Sequence, residues 1–183
     1  AEAGDAAPLV WAVPLSNVDG VVMGDYGKDN FPYDLNRAWG HPPMRHEALV
    51  IQRDMRRWLE RCTPALAIDF HAPGLGETDG CYFFLISPER SAEMHQRLHD
   101  WTDAFQDALG TDLAATNFAR VASYASRWET PSFAQATCLQ FGFPALSLET
   151  PYCRIGDRVL TIDDYQEIGA RLASVVLTRL RPS

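Results

Sequence analysis

Runs of apolar residues along the chain predict four buried strands. They cover residues 9–15, 65–70, 81–86 and 144–148. Pro14 indicates that the first strand ends there or lies at a sheet edge, because proline cannot donate to a strand ladder.

Helical periods and helix-end signals predict four helices, over residues 45–61, 87–109, 132–140 and 161–180. Ser87 before a proline is typical of a helix start, and Gly110 and Gly142 are typical of helix ends. Thr161 and Asp164 resemble a capping box. Strands that alternate with helices predict the α/β class.

Two segments lack either period and are predicted to be loops. Residues 16–43 are rich in glycine and proline, and residues 111–130, which show only weak periodicity, are predicted to be loop with short elements. Long ordered loops in compact domains are usually functional, so the first segment is a place to search for chemistry.

Composition and charge restrict the class of protein. The chain has 183 residues, enough for the single domain, 1–183, that we predict. Its 24 acidic and 16 basic side chains give a net charge of −8 with no basic block, so nucleic acid is not an expected partner. No apolar run is long enough to span a bilayer, and a membrane is not an expected partner either.

The N-terminus shows no signal peptide, although it is compatible with a mature exported protein. The four cysteines form no Cys-x-x-Cys pair, so a structural zinc knuckle is not expected. The compartment stays open, with the cytoplasm favoured over export.

Polar residues with catalytic or metal-binding potential follow two predicted strands and occupy the long loop. His71 follows the second strand, with Asp69 on the same strand face, and suits a metal ligand or a core histidine. Glu149 follows the fourth strand and suits a general base or a structural carboxylate. In the loop, Asn36 and Arg37 suit the binding of a carboxylate, with a structural ion pair of the arginine as the alternative.

Two segments of the loop resemble a signature of the zinc carboxypeptidases, the M14 or funnelin metallopeptidases. Residues 17–21 read Asn-Val-Asp-Gly-Val, and residues 33–39 read Tyr-Asp-Leu-Asn-Arg-Ala-Trp. The family has Asn-Pro-Asp-Gly-Val and then Asp-Leu-Asn-Arg with an aromatic residue. The strands ending in His71 and Glu149 follow in the family's order. The sequence of these motifs is more similar to the cytosolic carboxypeptidase-like branch of the family than to its digestive enzymes.

This resemblance implies a three-layer α/β/α fold with a mixed, mostly parallel sheet, incomplete at its N-terminus. The chain would be the C-terminal larger part of the catalytic domain. The implied activity is that of a carboxypeptidase in which a zinc-activated water attacks the C-terminal peptide bond of a peptide or protein. His71 would be a zinc ligand, Glu149 the catalytic base, and Asn36 with Arg37 the carboxylate site. The oligomeric state is not predicted.

The chain departs from the family pattern in ways that affect the implied site. The family's His-x-x-Glu motif supplies two zinc ligands, and the chain has no counterpart, so we expect an incomplete zinc site and an inactive chain. The family's oxyanion-stabilising arginine aligns with Gly27, and the neighbouring Lys28 would replace it as a point charge. Tyr124 and Arg127 are candidates for the residue that closes on the substrate.

His95 and His99 have the spacing of a two-histidine zinc site on a predicted helix. They lack the His-Glu-x-x-His pattern, and we expect them to be solvated.

Two other functions compete with the carboxypeptidase. One is a deacylase of the aspartoacylase or succinylglutamate desuccinylase type, which also carries Asp-Leu-Asn-Arg. The other is a non-catalytic module that binds carboxylates and has lost its zinc. For the peptidase, Arg120, Arg127, Arg154 and Lys28 predict a preference for an acidic terminal residue, unless these side chains pair with acidic neighbours.

Overall fold

Helices and strands alternate in the computed structural model, which describes residues 8–25, 33–122 and 129–181. The helices are α1 (Val18–Met23), α2 (His46–Leu59), α3 (Ala92–Leu109), α4 (Phe133–Ala136) and α5 (Ile162–Arg179). A 3-10 turn covers Leu35–Arg37, and a π-helical turn, Thr137–Phe141, continues α4. The strands are β1 (Ala67–His71), β2 (Cys81–Leu85), β3 (Ala114–Val121), β4 (Ala145–Glu149), β5 (Arg154–Ile155) and β6 (Arg158–Val159). The predicted α/β class is confirmed.

Four strands form one mixed sheet in the order β1-β4-β2-β3. Strand β2 is parallel to β3 and antiparallel to β4. The N–H of Ala67 donates to the carbonyl of Pro144, and the N–H of Thr150 donates to the carbonyl of His71, both at 2.9 Å. Residue numbers rise in the same direction along the two strands from the first of these bonds to the second, so β1 and β4 are parallel. Two parallel pairings and one antiparallel pairing confirm the predicted mixed, mostly parallel sheet.

Contacts divide the chain into two compact units. The first contains Ala1–Val10, Ile68–Ala122 and Leu146–Ser183, and the second contains Trp11–Ala67 and Ser123–Ala145. The single domain expected from the length stays a prediction. Among the described helices, none is long and apolar enough to cross a membrane.

The core of the first unit lies between the sheet and α3. Phe83 of β2 stacks on Phe105 of α3 with ring centroids 5.2 Å apart, and its edge meets Phe118 of β3 at 5.5 Å. The buried apolar positions of α3 recur every three or four residues, which is the helical period that the sequence displays. They are Met94, Leu98, Trp101, Phe105 and Leu109.

The second unit has a smaller core around α2 and the 3-10 turn. Trp39 is buried with Ala38 and Ala48, and Phe133 packs its ring against Trp39 with centroids 4.9 Å apart. The buried side chain of Gln52 donates to the Trp39 carbonyl at 3.1 Å. The residues that follow Asn36 and Arg37 in sequence are therefore anchored in a core.

Two predictions differ from the structure. Residues 9–15 form no strand, and Leu9 and Val13 are 79% and 43% exposed. Residues 111–130, predicted as loop with short elements, contain the eight-residue strand β3. A bulge in the β2–β3 pairing explains why this strand was missed. Between Cys81 and Phe83 the partner moves from Ala114 to Ala119, which breaks the alternation of buried and exposed side chains.

Helix ends differ from prediction at two places. Helix α1 lies within the loop predicted over 16–43. Helix α3 is capped by Ser91, because residues 87–90 form a turn in which the Arg90 N–H donates to the Ser87 carbonyl. The ends predicted at Gly110 and Gly142 and the capping box at Thr161 are confirmed.

Candidate functional site

His71 ends β1 with its ring held by a carboxylate. Its Nε2 lies 2.7 Å from Oδ2 of Asp69, two residues earlier on the same strand face. Both side chains are partly buried. A carboxylate on one ring nitrogen orients a metal-binding histidine and raises its basicity. A metal at His71 would therefore be bound through Nδ1.

Glu149 ends β4 directly beside His71. The two β1–β4 hydrogen bonds align Ala67 with Ala145 and His71 with Glu149. Aligned residues on neighbouring parallel strands point to the same sheet face, with the strands about 4.8 Å apart. The Oε2 atom of Glu149 is buried. The sheet thus brings together a histidine and a carboxylate that lie 78 positions apart in the numbering.

Tyr82 of β2 lies on the side of Glu149 away from His71. It is the residue that pairs with Glu149 across the antiparallel β2–β4 ladder. The ring is buried beneath Arg120, whose Cζ lies 3.4 Å from the ring centroid. Burial raises the pKa of Tyr82, and a hydrogen bond with Glu77 and the charge of Glu149 raise it further. The phenol therefore stays protonated at neutral pH.

Arg120 is engaged by carboxylates of its own chain. Its Nη1 lies 3.2 Å from Glu77 and its Nη2 lies 3.7 Å from Asp79. The predicted role of Arg120 in reading an acidic substrate side chain is not supported by this pairing. Arg154 is exposed at the start of β5.

The Asn-Val-Asp-Gly segment is a capped turn at the start of α1. The Gly20 N–H donates to Oδ1 of Asn17 at 3.3 Å. A Cβ on Gly20 would lie 2.2 Å from Nδ2 of Asn17, so the cap requires glycine at this position.

Arg45 connects the two halves of the loop motif, and sequence reasoning missed it. Its Nη2 donates to Oδ1 of Asn17 at 3.2 Å, its Nη1 donates to the carbonyl of Tyr33 at 3.4 Å, and it also pairs with Glu47. A cation directly before a helix is unfavourable beside the positive end of the helix dipole. That position is the signal that could have indicated a partner for Arg45.

Asn36 is held by contacts on both sides of the 3-10 turn. Its backbone N–H donates to Oδ1 of Asp34 at 2.9 Å. Its side-chain Oδ1 accepts from the N–H of Phe133 at 3.0 Å, 97 residues later. Because an N–H only donates, this contact assigns Oδ1 as the acceptor and Nδ2 as the donor end of the amide. Arg37, 9% exposed, donates from Nη1 to the Asn36 carbonyl at 2.7 Å.

Three predicted substrate-binding residues, Lys28, Tyr124 and Arg127, lie outside the described residues. Within residues 8–25, 33–122 and 129–181, no group of three or more His, Cys, Asp or Glu side chains has the arrangement of a metal site. These residues therefore fit one zinc ligand, His71, with its orienting carboxylate, and not a three-ligand site.

Comparison with solved structures shows that the fold is shared with a metallo-carboxypeptidase and with succinylglutamate desuccinylases. A metallo-carboxypeptidase from Burkholderia cenocepacia matches with a TM-score of 0.69 and 19% identity, over 92% of this chain and 43% of that one. A succinylglutamate desuccinylase from Chromobacterium violaceum matches with a TM-score of 0.59 and 16% identity, over 90% and 48%. The product-bound ectoine utilization protein EutE (DoeB) from Ruegeria pomeroyi matches with a TM-score of 0.58 and 17% identity, over 91% and 45%.

These likenesses establish a shared fold. The chain spans less than half the length of each of these three structures. No family model and no curated protein matches the sequence.

Proposed function

We propose that the chain belongs to a metal-dependent hydrolase that cleaves an amide bond in a substrate carrying a carboxylate. The observation that supports this most is the alignment of His71 and Glu149 on one sheet face. In this proposal Glu149 accepts the proton of the attacking water and passes it to the leaving amine. His71, oriented by Asp69, contributes one metal ligand, and the described residues do not complete the site.

The second part of the proposal assigns substrate binding to Asn36 and Arg37. A guanidinium and an amide donor suit the two oxygens of a carboxylate. The N–H of Phe133 supports this role for Asn36, because it fixes the orientation of the amide and so identifies its donor end.

Two substrate classes fit this chemistry. The first is a peptide with a free C-terminus, which the metallo-carboxypeptidase neighbour favours. The second is an N-acyl amino acid, which the desuccinylase neighbour favours. Both place a carboxylate close to the amide that is cleaved, and only the acyl side differs. We also propose that the metal is zinc and that the chain is related to the cytosolic carboxypeptidase-like branch.

A hydrolysis panel with Zn²⁺ in the assay separates these classes, and it is run, like the kinetic tests below, on this chain preceded by a segment that supplies the missing metal ligands. It compares N-blocked dipeptides, N-succinyl and N-acetyl amino acids, and the amidated form of each. The proposal expects cleavage of one class and none of its amidated form, since amidation removes the carboxylate. Equal cleavage of free and amidated substrates would contradict the carboxylate site. Carboxylate binding without cleavage in any class would favour the non-catalytic module.

Glu149→Gln tests the base. It keeps the size of the side chain and should lower kcat by about 10²–10⁴-fold while metal content stays unchanged. Glu60→Gln is the matched control, because Glu60 is exposed at the end of α2. Turnover of Glu149→Gln equal to that of the control would show that Glu149 is structural.

A further inference from the structure

A pair of histidines on α3 is independent of the site proposed above. His95 and His99 stand four residues apart, and their ring centroids are 4.7 Å apart in an edge-to-face contact. Residues at this spacing are neighbours on one helix face. Both side chains are partly exposed, so the pair is accessible to solvent.

His95 is already oriented as metal-binding histidines usually are. Its Nδ1 lies 2.7 Å from the carbonyl oxygen of Ile86. A carbonyl only accepts, so Nδ1 carries the proton and Nε2 carries the lone pair. A backbone carbonyl on the second ring nitrogen fixes the tautomer and orientation of a ligating imidazole.

His99 supplies the second imidazole. In the described part of the chain, neither of its ring nitrogens has a hydrogen-bond partner, and the ring contacts His95. Side chains four residues apart on a helix lie one above the other on the same face, so both rings can reach one bound ion. Glu89, in the turn before α3, lies within electrostatic reach of His95 and adds negative charge near the pair.

We propose that His95 and His99 chelate a late first-row divalent cation, Ni²⁺, Cu²⁺ or Zn²⁺, through one nitrogen of each ring. Imidazole suits these ions and not Mg²⁺ or Ca²⁺. Water completes the coordination, since no third side chain of the described residues forms a metal-binding group with the pair.

Ni²⁺ is the probe of choice because it is paramagnetic and does not oxidise the exposed thiol of Cys153. Titration of NiCl₂ into the ¹⁵N-labelled protein should broaden backbone amides centred on residues 91–103 before any others. His95→Gln and His99→Gln should each weaken this binding at least about tenfold, because each removes the intramolecular second ligand. His46→Gln, at the start of α2, is the control and should leave the binding unchanged.

Two results would overturn the proposal. One is broadening centred on His71 or Cys153 with α3 unaffected. The other is equal affinity in wild type and both single variants, which would mean an adventitious single-imidazole contact. The spectra themselves report whether each variant is folded. The readout does not depend on hydrolysis, so the proposed enzyme function and this site can fail separately.

Discussion

At the scale of single residues, the orientation of Asn36 depends on an N–H that is remote in sequence. Asn36→Asp keeps an acceptor for Phe133 and replaces the donor end of the amide with an anionic oxygen. We expect KM for carboxylate substrates to rise about 10–100-fold, because a hydrogen bond to a charged group contributes about 1.5–3 kcal/mol. The free energy of unfolding should change little. Steady-state kinetics and urea unfolding measure the two effects.

Asn36→Ala is the comparison variant for this prediction. It removes donor and acceptor together and leaves the Phe133 N–H without its acceptor. It should therefore lower the free energy of unfolding by about 1 kcal/mol, in addition to raising KM. A wild-type KM in Asn36→Asp would show that the amide does not bind the substrate.

Sequence reasoning selected residues whose position alone is unusual, and it did not select residues that only their contacts distinguish. His71 and Glu149 were predicted as site residues because a histidine and a carboxylate end apolar strands. The sheet places the two side by side, and their functional roles stay predictions. Tyr82 was missed because an aromatic residue in an apolar strand is ordinary. Only the register opposite Glu149 and the ring contact with Arg120 distinguish it. No local pattern encodes such contacts.

At the scale of elements, a prediction that depends on local interactions succeeded, and two predictions that depend on a remote partner failed. The cap at Thr161 is a local interaction between residues three apart, and it was predicted. Strand formation needs a partner. Residues 9–15 have the apolar character of a strand but no pairing in the structure, whereas β3 pairs with β2 despite an alternation broken by a bulge.

The capping box of α5 leads to a prediction about pH. Asp164 Oδ2 accepts from the Thr161 N–H at 2.7 Å, and the carboxylate also pairs with Arg158. Hydrogen bonds from the Thr161 backbone and side chain, with the charge of Arg158, lower the pKa of Asp164 from its ordinary value of 3.8. A lowered pKa means that the carboxylate stabilises the fold above that value, and that this contribution is lost as pH falls through the folded pKa.

Asp164→Asn should therefore lower the Tm at pH 7, and the difference from wild type should shrink as the pH falls below about 4. Asp163→Asn is the matched control, because Asp163 is an exposed neighbour in the same helical turn. Calorimetry from pH 7 to pH 2.5 measures both variants. A Tm difference that is constant over this range would show that the charge of Asp164 does not contribute.

At the scale of the whole molecule, the path of the chain favours cooperative folding. The chain passes from one compact unit to the other four times, at 10/11, 67/68, 122/123 and 145/146. Neither unit is a continuous segment. If the first unit unfolded alone, the two segments of the second would be joined through a long disordered loop, and closing that loop opposes their association. We therefore expect one unfolding transition.

Gly80 provides a way to test this by destabilising the first unit alone. Its φ is +132°, and a Cβ there would lie 2.6 Å from the backbone nitrogen of Ala115, so Gly80→Ala should destabilise the β2–β3 pairing by at least about 1–3 kcal/mol. Gly76→Ala is the control, because a Cβ at Gly76 meets no atom within 4 Å. Pulsed hydrogen exchange with mass spectrometry in urea follows peptides of α3 and α2, which belong to different units. A single domain requires Gly80→Ala to lower both midpoints equally; a shift confined to α3 would show that the two units unfold as separate domains.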